Sequence, residues 1–150
     1  MIWMILALSL HAQAKPLLRP FATDGCTLSP DGTLQRPNLW RPCCVAHDLR
    51  LWGGGTQVQR DDADRKLRTC VKELAGSTIA DIIWGGVRAG TLSPIRIPSK
   101  VWGNAWYDRS GYRELSQHEI QLLIDELPEV DIPETLRDTY RQELEGRLAL

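Results

Sequence analysis

The chain of 150 residues has almost no net charge, 18 Lys and Arg standing against 19 Asp and Glu for a formal balance of -1. Without a basic field there is nothing to attract a polyanion, so nucleic acid is not an expected partner. Its apolar opening, Ile2 to Leu10, is too short to cross a bilayer. Internal repeats, low-complexity tracts and paired C-x-x-C spacings are all missing. What is left is one domain of ordinary composition, 43% hydrophobic and 25% charged, with enough apolar material for a modest core.

The opening MIWMILALSLHAQAK follows its apolar run with Ala12-Gln13-Ala14, a small-x-small pattern that resembles a signal-peptidase site, although no Lys or Arg precedes the run. Residues 1–14 are therefore read as a signal peptide, His11 being removed with it, and residues 15–150 as a single secreted or periplasmic domain. Export places Cys26, Cys43, Cys44 and Cys70 in an oxidising compartment, where four cysteines read as two disulfides. Neighbours rarely meet disulfide geometry, so Cys43 and Cys44 each go to Cys26 or Cys70. Zinc held by these cysteines and His47 is the weaker alternative, because the paired C-x-x-C spacing is absent.

Between Lys15 and Pro42, five prolines and two glycines forbid long helices, and DGCTLSPDG from Asp24 to Gly32 places two Asp-Gly turns around Cys26. From Cys43 to about Trp52 nothing breaks a helix until Gly53-Gly54-Gly55. In the next segment Ala63, Leu67, Cys70, Val71 and Leu74 recur at helical spacing, and Gly76 precedes a further helical stretch from Thr78 to Val87. The two helices joined by the glycine turn form an antiparallel hairpin. Trp84 to Tyr112 carries no secure regular element. Ser116 and Glu119 form a capping box before a helix whose His118 is solvated, and Pro133 opens a last helix with Leu136, Tyr140, Leu144 and Leu148 inward. The fold class expected is all-α.

On the first helix Cys43 and Cys44 lie one turn before His47, while Asp48 is rotated about 100° from His47 and does a separate job. The carboxylate that orients His47 must come from the second helix, which offers Asp61, Asp62 and Asp64. A disulfide from Cys70 to Cys43 or Cys44 would bring Asp64 within reach. Asp64 would then accept the imidazole Nδ1–H and leave the other nitrogen as a general base. Asp48 would face the loop from Asp24 to Gly32.

These residues resemble the secreted phospholipase A2 family, whose members show CC-x-x-HD on one helix, D-x-x-x-x-x-C on an antiparallel second helix, and a glycine-rich calcium loop upstream. Here the motifs are Cys43-Cys44-Val45-Ala46-His47-Asp48 and Asp64-Arg65-Lys66-Leu67-Arg68-Thr69-Cys70, with Asp24 to Gly32 as the loop. The resemblance spans roughly Asp24 to Cys70, within a domain core of 24–75 that leaves 76–150 as a C-terminal extension. It implies disulfides Cys26–Cys44 and Cys43–Cys70, His47 as the base that activates water, and Asp64 as its orienter. It also implies a Ca²⁺ bound by Asp48 and loop carbonyls, those of Gly25, Thr27 and Ser29 by offset from Cys26, with Asp31 as a further carboxylate. The implied reaction is calcium-dependent hydrolysis of the sn-2 acyl ester of a glycerophospholipid at a membrane or micelle surface.

The loop departs from the family in having Thr27, Leu28, Ser29 and Pro30 where glycines are usual, and Leu51 replaces a tyrosine that supports the acidic partner of the histidine. A non-catalytic exported binding or toxin-like module on the same scaffold is the alternative, and a hydrolase of another acyl ester a third. Trp102, Trp106 and Tyr107 are expected at the membrane interface, or else closing the core over the helix pair.

Overall fold

The computed structural model describes residues 17–95, 97–107, 109 and 111–149, so the leader read over residues 1–14 lies outside the described residues. Among the described residues the chain is all-α: α1 (Arg41–Gly53), α2 (Gln57–Ala75), α3 (Ser77–Leu92), α4 (Gln117–Glu126) and α5 (Glu134–Leu148), with no strand beyond two isolated bridges. None of these helices is long and apolar enough to cross a membrane.

Pro42 starts α1, where its missing N–H costs nothing, and nine of the thirteen residues of this helix are buried. Helix α1 is therefore the central one, enclosed on every side. Its Val45, Leu49 and Trp52 join the larger core with Ala105, Trp106 and the apolar faces of α4 and α5. Its Cys43 and Cys44 join a second core with Cys26, Trp40, Leu67, Val71, Ala80 and Ile83. Asp48 and His47 lie between.

Helix α2 opens with a complete capping box, Thr56 Oγ1 accepting from Gln59 N while the Gln59 side chain accepts from Thr56 N. Cys43 bonds Cys70, and His47 meets Asp64, so the register runs in opposite directions along the pair. Leu74, expected inward, is 43% exposed. Cys43 is only two residues into α1, and the last turn of α2 therefore overhangs the end of its neighbour.

The helical stretch after Gly76 runs five residues past the expected Val87, to Leu92. Gly85, Gly86 and Gly90 face open space, so they cost only intrinsic propensity, and packing of Ala80 and Ile83 against α2 outweighs it. At the start of α4 the capping box of Ser116 and Glu119 forms as expected and His118 is exposed, and in α5 Tyr140 and Leu144 are fully covered with Leu136 and Leu148 beside them.

The three glycines after α1 do more than turn the chain. A Cβ on Gly53 would collide with the Tyr140 hydroxyl, and one on Gly54, whose φ is +78°, with the Gly103 backbone. Close approach of two other segments thus fixes glycine at both places.

Candidate active site

His47 and Asp64 form the buried polar pair that the resemblance implies, with His47 Nε2 at 2.7 Å from Asp64 Oδ1 and the two residues 4% and 1% exposed. The nitrogen facing Asp64 is Nε2 and not the expected Nδ1. Leaning back along α1, the ring presents its far nitrogen to α2, so with Asp64 accepting, Nε2 carries the proton and Nδ1 is the nitrogen left to act as a base.

Two arginines complete the surroundings of Asp64. Arg60 Nε, one turn earlier on α2, stands 3.1 Å from Asp64 Oδ1, at an angle that makes it an ion pair rather than a directed hydrogen bond. Arg60 is itself buried, donating Nη2–H to Thr91 Oγ1 and lying over the Trp102 ring. Arg88, from α3, spans Asp61 at 2.5 Å and Asp64 Oδ2 at 3.2 Å. Burial opposes ionisation of Asp64, yet the His47 hydrogen bond and the charges of Arg60 and Arg88 hold its carboxyl below the usual carboxylate range. These guanidiniums brace Asp64 from α2 and from α3. Arg60 was legible as an i,i+4 partner of Asp64, whereas nothing local in the sequence marks Arg88. Of the other candidates on α2, Asp61 goes to Arg88 and Asp62 to Arg65 and Lys66.

Both disulfides pair as the resemblance implies, Cys26 with Cys44 and Cys43 with Cys70. One ties α1 to the upstream loop and the other ties it to α2. Two disulfides suit an oxidising environment.

Asp48 faces the loop, but its company differs from the expected one. Its Oδ2 accepts from Thr23 Oγ1 at 2.7 Å and from Lys100 Nζ at 2.7 Å. The same ammonium lies 2.7 Å from Asp24 Oδ1. Burial raises the Asp24 pKa, but hydrogen bonds from Lys100 and Thr27 more than offset it, leaving the carboxyl below its ordinary value. Asp31, expected as a further ligand, turns away: it accepts from Cys26 N and pairs with Arg41. Ser29 N closes a turn on Cys26 O, Thr27 Oγ1 donates to Asp24, and Gly25, with φ +79°, packs against Asp31 and Arg41. Oxygen donors suit a hard cation. As arranged, though, the residues do not fit Ca²⁺, because the lysine ammonium fills the space between the two carboxylates. Among the described residues no cluster of three or more His, Cys, Asp or Glu is placed to hold a metal ion.

Trp102 and Trp106 are each 5% exposed and do not form a membrane-facing surface. The last carbonyls of α1 explain why. Gly103 N and Ala105 N donate to Leu51 O and Trp52 O, Trp106 Nε1 donates to Gly53 O at 2.9 Å, and Trp102 Nε1 donates to Gly55 O at 2.8 Å. Carbonyls at and just past the end of α1 are met by the backbone of Gly103 and Ala105 and by the two indoles, which accordingly close the core. Tyr107 is half-buried under the Arg19 guanidinium, 4.9 Å from its ring centroid. A cavity of about 270 Å³ lies elsewhere, lined by Gln59, Glu114, Leu115, Gln117, Ile120 and Arg147.

The site is thus a buried histidine–carboxylate pair held by two disulfides and two arginines, with a cation-bearing turn over the neighbouring carboxylate. No protein-family model matches the chain, and comparison with curated proteins and with solved structures likewise returns no match.

Proposed function

We propose that this protein is an exported ester hydrolase that cleaves the sn-2 acyl ester of a glycerophospholipid, with His47 as the general base and Asp64 as its orienter. The observation that carries the reading is the His47–Asp64 pair, buried and braced from three sides. A histidine held by an ionised carboxylate keeps one tautomer, and its free Nδ1 can take a proton from water as that water attacks the ester carbonyl. As the ester breaks, the proton passes to the leaving alkoxide, giving a free fatty acid and a lysophospholipid. The resemblance adds Ca²⁺, but with the Lys100 ammonium 2.7 Å from both Asp48 and Asp24 the residues do not fit it, and no step here is assigned to a metal.

Lipid as substrate class is supported by the exposed apolar side chains of α3 and the stretch after it, with Ile82 at 64%, Leu92 at 86%, Ile95 at 78% and Ile97 at 44%. They provide an apolar surface in place of the buried tryptophans. Against this stands the exported binding or toxin-like module, favoured by the 4% exposure of His47. In that reading the pair only ties α1 to α2.

Fatty-acid release from mixed phospholipid vesicles, with Ca²⁺ and with chelator, separates the two. Native protein should release fatty acid under at least one condition, and His47→Gln should abolish release with the helical signal unchanged, since a glutamine amide still donates to Asp64. Absence of release under both conditions would overturn the phospholipid reading, and absence of cleavage of other acyl esters as well would leave the binding module.

A further inference from the structure

Lys100 belongs to a braced turn rather than to a free loop. Its backbone N–H donates to Ile97 O at 2.8 Å, closing the 3-10 turn Pro98–Lys100, and Asn104 Nδ2 donates to Ser99 O and Val101 O on either side of it. The turn delivers the ammonium to a position that is 82% covered, where it touches Asp48 and Asp24 at 2.7 Å each. Thr23 and Thr27 hydroxyls donate to the same two carboxylate oxygens. Asp48 is only 7% exposed, and a carboxylate that covered is costly unless a cation or a set of donors compensates it. The nearby Arg41 is engaged with Asp31 and the Asp24 carbonyl, so the positive charge on Asp48 comes from Lys100.

We infer that Lys100 is the resident cation of this site: its ammonium takes the place beside Asp48 that a divalent cation would fill, so the native chain holds the site without Ca²⁺. Removing that charge leaves two carboxylates, both already oriented by threonine hydroxyls, facing one space with no compensation. Hard oxygen donors of that kind attract Ca²⁺. A neutral side chain at position 100 therefore turns an ion-paired site into a calcium site.

The test reads binding, not hydrolysis, so its failure is separable from failure of the lipase reading. Calorimetry and thermal unfolding are run with CaCl₂ on the oxidised native protein, Lys100→Gln and Lys100→Arg. The native protein and the arginine variant should show no Ca²⁺-dependent heat or Tm shift at millimolar Ca²⁺, and Lys100→Gln should gain a saturable one with a Tm rise of several degrees. Calcium binding by the native protein overturns the inference, and so does a folded Lys100→Gln that binds none. Should the glutamine variant not fold, competitive acetylation of the native protein decides. Lys100 should react roughly tenfold more slowly than the exposed Lys72, because its amine must first leave two carboxylates. Equal reactivity overturns the inference.

Discussion

The two cores that flank α1 hold it by different means. The one toward α2 is the smaller, with both disulfides at its centre and Trp40, Leu67, Val71, Ala80 and Ile83 around them. The one toward α4 and α5 has no covalent bond and relies on fifteen buried residues, among them Leu123, Leu127 and Leu144 with no exposed surface. The dyad and the Asp48 site sit beside the covalent core. Side chains that face each other across a helix pair must keep hydrogen-bond distances within a few tenths of an ångström, and a bond between the backbones holds that separation where a small core cannot. Apolar packing on the far side then only has to keep α1 from rotating.

Perturbing each side separately tests this division. The largest stability effect is expected in the apolar core: Leu123→Ala should cost about 4 kcal/mol, read by denaturant unfolding, because the side chain is fully buried. Below its unfolding temperature that variant should keep its dyad. Replacing Cys43 and Cys70 together by alanine opens a loop with a sequence separation of 27. That should cost roughly 3.5 kcal/mol, and unlike the leucine variant it should lose fatty-acid release even where the helical signal persists. If both variants keep release equally, the division of labour is wrong.

A third perturbation is acid. Hydrogen bonds from Arg113 hold the Glu119 carboxyl at about 2, against the resistance of burial, from an ordinary value of 4.5. A depressed carboxylate contributes stability that is full above its unfolded value and disappears as pH falls through the folded one. The apolar half should accordingly lose up to roughly 3 kcal/mol between the two values, and Glu119→Gln should flatten that part of the pH–stability curve. The smallest effect sharpens the boundary between the halves: Trp106→Phe keeps the ring but leaves Gly53 O without its indole donor, and should cost about 1.5 kcal/mol in thermal unfolding.

How much of this was legible follows from what each feature depends on. The fold class, the ends of α1, the close of α2 and the capping box of α4 are set by neighbours in the chain, so Pro42, Gly53, Gly76 and Ser116 announce them. The dyad was also legible, because helix geometry and a disulfide turn four sequence offsets into one spatial relation. The tryptophans were left between the membrane interface and the core because a Trp-rich, Gly-rich segment carries no local sign of which helix end it will cap. Helix α3 was cut short because its glycines look like breakers until one sees that they face open space.

By itself the sequence determined an all-α chain in which His47 and Asp64 could meet and four cysteines could staple them, since the helices rest on periodicity along the chain and the meeting on spacing within 24–75. Only the tertiary structure decided the rest: the ring nitrogen that faces Asp64, the Arg88 guanidinium that joins Arg60 in keeping Asp64 charged, and the lysine beside Asp48. Those partners come from α3 and the 3-10 turn, 24 residues from Asp64 and 52 from Asp48 along the chain. Electrostatic contact falls off over a few ångströms of space whatever the separation in sequence, so only folding could bring these charges into each other's reach.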